Sequence, residues 1–149
     1  MFFLISRYVD SFIGLQNFLP FPLNLILGLL IIIPGFIFAI WANYTLYKEG
    51  KGTPVPTEAT HTEQLVVEGP YQYSRNPMIF GTILIFIGLG LIFNSIFFTI
   101  IISCIITISL YLEVKLWEEK NLEKRFGKEY LEYKHKVSII IPLPPKKTQ

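Results

Sequence analysis

The sequence predicts an all-α integral membrane protein, a bundle of about four transmembrane helices followed by a cytoplasmic C-terminal helix. Apolar residues make up 52% of the chain and charged residues only 16%, which is far from the usual soluble mixture. The charges are unevenly placed, since no Asp, Glu, Lys or Arg occurs between Asp10 and Lys48 or between Arg75 and Glu113. With 149 residues, the whole chain (1–149) fits one membrane domain.

Each uncharged window, 11–47 and 76–112, is 37 residues long. A helix of that length would measure about 55 Å, almost twice the roughly 30 Å of the hydrocarbon core. The second window must therefore fold back, and the turn-favouring pair Asn94-Ser95 lies at its midpoint. This places two spans at about 77–93 and 96–112.

The first uncharged window holds one span, at about 23–46. It begins after two prolines and ends among aromatic residues suited to an interface. Pro34 predicts a kink, which a packed neighbouring helix can tolerate.

Residues 1–19 form the fourth candidate span. Their polar residues gather on one side at helical spacing, with apolar residues around the remainder. These polar residues are Ser6, Arg7, Asp10, Gly14 and Asn17. We favour a spanning helix that hides Arg7 and Asp10 against the bundle, and the alternative is an interfacial helix that leaves both wet.

The distribution of positive charge predicts the orientation in the membrane. Twelve of the thirteen Lys and Arg residues lie in 48–77 and 113–149. The positive-inside rule makes the loop 48–76 and the region 113–149 cytoplasmic. The expected partner is the lipid bilayer, because a net charge of +2 is too small to argue for nucleic acid.

The polar regions have their own predicted structure. Gly and Pro residues at 50–56 exclude a long helix there, and residues 63–77 predict a short extended piece and then a turn. Residues 113–136 predict an amphipathic helix interrupted at Gly127. Its aromatic and apolar stripe comprises Phe126, Tyr130, Tyr133 and Val137, and the Pro-rich segment 139–145 packs extended.

Several isolated residues carry a structural interpretation. Gly81, Gly88 and Gly90 predict close packing between helices. We expect Cys104 to act only as a packing residue. His61 and His135 lie apart in the sequence with no third ligand nearby, so we predict no metal site.

Residues 65–78 read LVVEGPYQYSRNPM, which resembles the LVxxGPYxYxRxPMY signature of the isoprenylcysteine carboxyl methyltransferase and phospholipid methyltransferase superfamily. A second block also resembles this superfamily, and it comprises Glu118-Glu119, Leu122, Phe126-Gly127, Tyr130, Tyr133 and Pro142. The segment 50–56 is similar to that of small bacterial and archaeal members. The resemblance covers about residues 23–142.

The resemblance implies a pocket for S-adenosylmethionine at the cytoplasmic face, between the loop before the hairpin and the helix after it. The implied cofactor contacts are Gln64, Leu65, Val66, Tyr71, Asn76, Pro77, Met78, Ile79 and Glu118. The candidate site is completed by Tyr73, Arg75 and Glu119, with Arg75 and Glu118 as the candidate catalytic residues.

These residues suit the charges of the methyl donor. Methyl transfer from a sulfonium is an in-line displacement for which positioning is most of the task. Arg75 or backbone N–H groups would bind the carboxylate, Glu118 the ammonium or ribose, and a Tyr71 or Tyr73 face the sulfonium. The alternatives are a positive-inside anchor for Arg75, a solvated helix face for Glu118-Glu119, and an interfacial aromatic belt for the tyrosines.

Two positions depart from the superfamily pattern. Relatives usually carry His where Asn76 stands, so a titrating ring is replaced by an amide. The prenylcysteine enzymes carry Arg four residues before the cofactor-binding Glu, where this chain has Val114. Lys115 points about 100° away round the helix. This argues against a prenylcysteine carboxylate as acceptor.

We therefore predict a multi-pass membrane methyltransferase that acts on a lipophilic small-molecule or lipid-linked acceptor. The acceptor would arrive laterally through the bilayer. Two alternatives stay open, a phospholipid amine N-methyltransferase and a non-catalytic membrane scaffold that binds a partner. The sequence leaves the oligomeric state open.

Overall fold

The structure is a computed structural model that describes residues 2–14, 17–50 and 64–145. Helix makes up 76% of it, and the described residues contain no strand, so the all-α class is confirmed. The helices are α1 (Phe2–Phe12), α2 (Leu23–Gly50), α3 (Pro77–Ile92), α4 (Ser103–Glu113), α5 (Glu119–Phe126) and α6 (Lys128–Lys136). The predictions for residues 51–56, which include two Pro and Gly52, and for His61 and Glu63 lie outside the described residues.

The chain divides into two compact units. Unit 1 comprises Met1–Phe36 and Gly81–Leu110, and unit 2 comprises Ile37–Phe80 and Tyr111–Gln149. The candidate site residues from Gln64 to Phe80 and from Val114 onwards all belong to unit 2.

Two helices of the described chain are long and apolar enough to cross a membrane, Leu23–Gly50 and Phe98–Phe126. The second is continuous through α4 and α5. α2 extends four residues beyond the predicted end at 46, since Tyr47, Lys48 and Glu49 are all compatible with a helix. α3 is shorter, at 16 residues.

α1 is also shorter than the predicted span. It has 11 residues, or roughly 17 Å at about 1.5 Å per residue, about half the hydrocarbon thickness. Gly14 (φ 72°) and Asn17 (φ 53°) follow it in the left-handed region, where a helix does not continue. α1 alone therefore does not cross a bilayer, while Asp10 is fully buried as a packed helix requires.

In unit 1, α2 and α3 pack through glycines. A Cβ atom built on Gly28 would lie 2.8 Å from the Gly88 carbonyl oxygen, and one on Gly35 would lie 2.9 Å from that of Gly81. Only glycine allows so close an approach of two backbones. The predicted packing role of Gly81 and Gly88 is confirmed, and Gly90 meets the Thr99 backbone in the same way.

The predicted break in the second uncharged window is confirmed. α3 ends at Ile92, and Asn94 takes a positive φ of 53° within the turn at residues 93 and 94. Asn tolerates this conformation better than most residues, because its short polar side chain bonds locally.

Unit 2 has two clusters of buried side chains. One joins Ala42 and Val66 to Tyr71. The other is formed by Tyr130, Tyr133 and Val137, with Leu65, Leu122 and Phe126 packed against it, which confirms the predicted aromatic stripe. The predicted interruption at Gly127 is also confirmed, with a φ of 54° between α5 and α6.

Candidate functional site

A short turn of 3-10 helix, Gly69–Gln72, begins the candidate site. Pro70 occupies its start, where a missing N–H costs nothing. Pro70 and Tyr71 are buried. The turn leads through residues 73–76 into α3, so the signature segment packs as a defined structure, as predicted.

The C-terminal segment 138–143 is hydrogen-bonded along this turn. The Arg75 N–H donates to the Ser138 carbonyl at 2.8 Å, and the Leu143 N–H donates to the Tyr73 carbonyl at 2.9 Å. The buried Ser74 hydroxyl donates to the Ile140 carbonyl at 2.7 Å. The prediction that the Pro-rich end leaves the helix and packs is confirmed, but residues 139–141 bend rather than run extended.

Asn76 takes part in the same contact. Its side-chain amide donates to the Ile139 carbonyl at 3.1 Å, and its backbone N–H donates to the Ser74 hydroxyl at 3.2 Å. The amide that replaces the usual His therefore holds the C-terminal segment in place.

α6 is fixed to the turn by one tyrosine. The Tyr133 hydroxyl donates to the Tyr71 carbonyl at 2.6 Å, and both residues are buried. Burial raises the pKa of the Tyr133 hydroxyl far above its ordinary value, because a phenolate there would lose its hydration. This hydroxyl therefore remains a hydrogen-bond donor.

A buried ionic cluster lies beneath the turn. The Arg75 guanidinium forms an ion pair with the Glu119 carboxylate, and their side chains are only 10% and 4% exposed. The Lys134 ammonium contacts the other Glu119 oxygen at 2.9 Å and Glu123 at 2.6 Å. One carboxylate is thus shared by two cations from different parts of the sequence.

The groups around the cluster keep its charges in place. The hydrogen bonds that Lys134 donates to Glu119 and Glu123 raise its pKa, and it therefore stays protonated. The Tyr130 hydroxyl lies 3.4 Å from an Arg75 nitrogen. Burial and the negative charge of Glu119 raise the pKa of Tyr130, so the Tyr130 hydroxyl keeps its proton and stays neutral.

A π-helical turn, Val114–Glu118, decides which glutamate enters the cluster. The Glu119 N–H donates to the Val114 carbonyl, five residues earlier. Residues five apart then share a face, and Val114 and Glu119 are only 2% and 3% exposed. On a regular α-helix the residue four after Val114, Glu118, would have faced inward instead.

Glu118 occupies a different position from Glu119. Its side chain is exposed, and it lies close enough to Tyr71 for its negative charge to add to the effect of burial, which together raise the pKa of the Tyr71 hydroxyl. The segment from Tyr71 to Arg75 therefore lies beside Glu118 and Glu119. Of these two glutamates, it is Glu119, and not the candidate catalytic residue Glu118, that pairs with Arg75.

One donor of the cluster is free. The Arg75 Nε is buried and has no hydrogen-bond partner among the described residues. A buried donor without a partner costs about 1–3 kcal/mol. This Nε–H can still donate one hydrogen bond, on a guanidinium already held by Glu119.

The other predicted contacts divide into two groups. Val66 and Tyr71 belong to one buried cluster, Met78 packs against that cluster, and Leu65 packs against the other. The remaining members line or flank the turn with varied exposure: Gln64 and Tyr73 are exposed, Ile79 is half-buried, and Pro77 is fully buried at the start of α3.

Sequence reasoning missed Lys134 and Ser74. A signal for Lys134 was present, because it follows Tyr130 by four residues on α6 and so lies on the same face. Ser74 carried no comparable signal, since its role depends on the return of residues 138–140 from the far end of the chain.

The next feature is Val114, which stands where the prenylcysteine enzymes carry an arginine. Val114 is buried, whereas Lys115 is exposed and donates to the Tyr111 hydroxyl at 3.1 Å. Lys115 therefore does not replace the arginine that the prenylcysteine enzymes carry at this position.

Apolar helices long enough to cross a bilayer and a buried charged cluster beside a Gly-Pro-Tyr turn define a helical membrane-associated protein with a preformed polar site. The model of the phospholipid methyltransferase family matches residues 23–129. The chain belongs to this family, which itself lies within the isoprenylcysteine carboxyl methyltransferase-like group. A search of curated proteins found no match.

Proposed function

We propose that the chain is a multi-pass membrane methyltransferase that takes its methyl group from S-adenosylmethionine and transfers it to a lipophilic acceptor. The family supports the reaction class. The single observation that carries the site is the unpaired, buried Arg75 Nε, on a guanidinium fixed by Glu119 and close to the turn that holds Tyr71.

The donor set fits the cofactor by charge. The positive charges of Arg75 and Lys134 balance the negative charges of Glu119 and Glu123. With Glu118 included, the five side chains carry one net negative charge. S-adenosylmethionine carries a carboxylate, an ammonium and a sulfonium, hence one net positive charge. Opposite net charges favour binding and make it dependent on ionic strength.

Each residue has a specific role in this proposal. Arg75 donates from Nε to the cofactor carboxylate, and the exposed Glu118 accepts from the ammonium or the ribose. When bound, the cofactor supplies an activated methyl group that needs alignment rather than covalent help. Tyr71 and Tyr133 remain protonated and hold the turn and α6 together, so the binding groups are positioned beforehand.

The acceptor would enter from the bilayer. The family description favours the amine of a phospholipid headgroup as the acceptor. The buried Val114 supports this choice, because the cation that would pair with an acceptor carboxylate is missing at that position.

The topology completes the proposal. Placing the segments 48–77 and 113–149 on the cytoplasmic side puts twelve of the thirteen basic residues there. The cofactor would then bind from the cytosol, and the acceptor would arrive within the inner leaflet.

Binding of tritiated S-adenosylmethionine to the purified, detergent-solubilised protein tests the proposal. We expect Glu118→Ala to weaken binding about tenfold or more, as for loss of a charged hydrogen bond, and Glu132→Ala, at an exposed glutamate of α6, to leave it unchanged. No binding by the unmutated protein would overturn the proposal and favour the non-catalytic scaffold.

The acceptor is tested by the fate of the label. Membrane lipids incubated with the protein and labelled cofactor are extracted and hydrolysed in alkali. Label that remains in a headgroup supports amine transfer. Label released from an alkali-labile ester would show carboxyl transfer and contradict the assigned acceptor.

A further inference from the structure

We infer that unit 1 contains a second binding site, for a membrane phospholipid whose headgroup carries both a phosphate and a hydrogen-bond donor. The site is a cavity of about 640 Å³ between the start of α2 and the turn that follows α3. Arg7, Asn17, Asn24 and Asn94 supply its polar lining. It shares no residue with the Arg75 cluster and does not depend on the proposed methyl transfer.

The wall of the cavity is fixed by one amide. The Asn94 side chain accepts from the Leu19 N–H at 3.0 Å and donates to the Leu19 carbonyl at 2.6 Å. This pair of bonds ties the segment before α2 to the turn after α3. The cavity is therefore preformed on both sides.

Asn24 provides an unused acceptor. The residue is only 7% exposed, and its side-chain nitrogen donates to the Ile92 carbonyl at 3.0 Å. Its Oδ1 atom is buried and has no partner among the described residues. The oxygen and nitrogen of this amide cannot be exchanged, because the Ile92 carbonyl accepts a hydrogen bond and so needs the nitrogen. Oδ1 is therefore the atom of Asn24 left to accept a hydrogen bond from a bound molecule.

Arg7 provides the positive charge. It is the only Lys or Arg in residues 1–36 and 81–110. Its one contact among the described residues is a long hydrogen bond of 3.4 Å to the Asn17 side chain, and it forms no ion pair there. An arginine in this state is available to hold a phosphate through two parallel hydrogen bonds.

The first turn of α2 does not compete with Arg7 for the anion. The Asn24 N–H bonds to the Pro20 carbonyl, and those of Leu25 and Ile26 bond to the Pro22 carbonyl. These helix-start donors are satisfied internally, so the phosphate would rest on Arg7.

The rim of the cavity is apolar and exposed. Phe21, which lines it, is 80% exposed, and Leu23 beside it is 41% exposed. A polar interior behind an apolar rim suits an amphiphile, whose chains cover the rim while its headgroup fills the interior. A small soluble anion would leave the rim uncovered.

The two unused groups define the headgroup. Phosphatidylethanolamine offers a phosphate to Arg7 and an ammonium N–H to Asn24 Oδ1. Phosphatidylcholine has the same charges, but its quaternary ammonium has no N–H to donate. The two lipids therefore differ in the ammonium N–H, which is the group that Asn24 Oδ1 would accept from.

Native mass spectrometry of the delipidated, full-length protein without S-adenosylmethionine tests this inference. Each lipid is titrated separately, and inorganic phosphate is titrated as the soluble alternative. We expect phosphatidylethanolamine to bind about tenfold more tightly than phosphatidylcholine, as for one charged hydrogen bond. Because the proposed methyl acceptor is also a phospholipid amine, the preference counts for this site only if substitutions in the cavity remove it. Equal binding of the two lipids, or binding of phosphate in place of lipid, would overturn the inference.

Two variants assign the selectivity. Arg7→Gln should weaken both lipids about tenfold, whereas Asn24→Leu should remove the preference for phosphatidylethanolamine. Lys120→Gln, at an exposed lysine outside the cavity, is the matched control and should change neither. An effect of the Lys120 variant equal to that of the Arg7 variant would mean general attraction to charge and would overturn the site.

Discussion

Two π-helical turns occur in the long helix Phe98–Phe126, and they have different consequences. In Phe98–Ile102 the Ser103 N–H reaches the Phe98 carbonyl, and Phe98 and Ser103 are both buried in unit 1. In Val114–Glu118 the Glu119 N–H reaches the Val114 carbonyl, and Glu119 is buried in unit 2. A π-turn therefore turns the Ser103 hydroxyl inward in unit 1 and the Glu119 carboxylate inward in unit 2.

The difference shows that the residue at the fifth position gives each π-turn its role. Ser103 is small and bonds back to the Phe98 carbonyl at 3.3 Å, so the first turn is satisfied locally. Glu119 needs cations, and it obtains Arg75 and Lys134. The first π-turn therefore serves packing, whereas the second builds the candidate site.

The largest expected effect comes from replacing the inward residue at each turn. Glu119→Gln leaves the buried Arg75 charge without its counter-ion and should lower the free energy of unfolding by about 3–5 kcal/mol. Ser103→Ala should lower it by about 1 kcal/mol, the value of one neutral hydrogen bond. Thermal unfolding in detergent measures both. Equal losses would remove the distinction between the two turns.

A deletion sharpens the comparison. Removing Lys115 makes Val114 and Glu119 four residues apart, so a regular α-helix would still turn Glu119 inward. We expect the melting temperature to fall by no more than about 4 °C. Removing Leu110, which lies in α4, should rotate Glu119 away from Arg75 and lower the melting temperature by about 10 °C. The reverse order would contradict the π-turn account.

The hydrogen bond from α6 to the turn gives a smaller effect. Tyr133→Phe removes the donor to the Tyr71 carbonyl and should cost about 1–1.5 kcal/mol of unfolding free energy. Tyr111→Phe is the matched control. Within the part of the chain that the structure describes, the Tyr111 hydroxyl bonds only to the exposed Lys115. A loss in the control equal to that of the Tyr133 variant would show that the Tyr71 contact has no special weight.

The smallest effect is the dependence of Lys134 on pH. Its pKa is raised in the folded protein by Glu119 and Glu123, so its contribution to stability is complete below the unfolded value of 10.5. The contribution is lost as the pH rises through the higher folded pKa. The stability difference between the wild type and Lys134→Met should therefore be constant at neutral pH and shrink above about 10.5. A difference that grows there would contradict the ion pair.

Much of the fold could be predicted from local sequence signals. The pair Asn94-Ser95 interrupts an apolar window too long for one helix, and Gly127 interrupts an amphipathic pattern. The tyrosines at 130 and 133 share a helical face, and the structure buries them. Each of these predictions depends on residues only a few positions apart.

The site could be predicted only in outline. The signature segment and the two glutamates were identified together, but the sequence gives no local sign of a π-turn. Nothing in the sequence therefore shows which of the two glutamates pairs with Arg75, and the extra residue in the turn gives that place to Glu119. The span predicted for residues 1–19 was too long for a different reason, since hydrophobicity does not fix where a helix ends.

Photo-crosslinking of an azido derivative of S-adenosylmethionine, followed by peptide mapping, tests the central claim most directly. That claim is that residues 64–79 and 113–126 bind one cofactor together. The account predicts label in peptides from both segments, with unlabelled S-adenosylmethionine suppressing both to the same degree. Label in only one of them, or in residues 81–110, would contradict it.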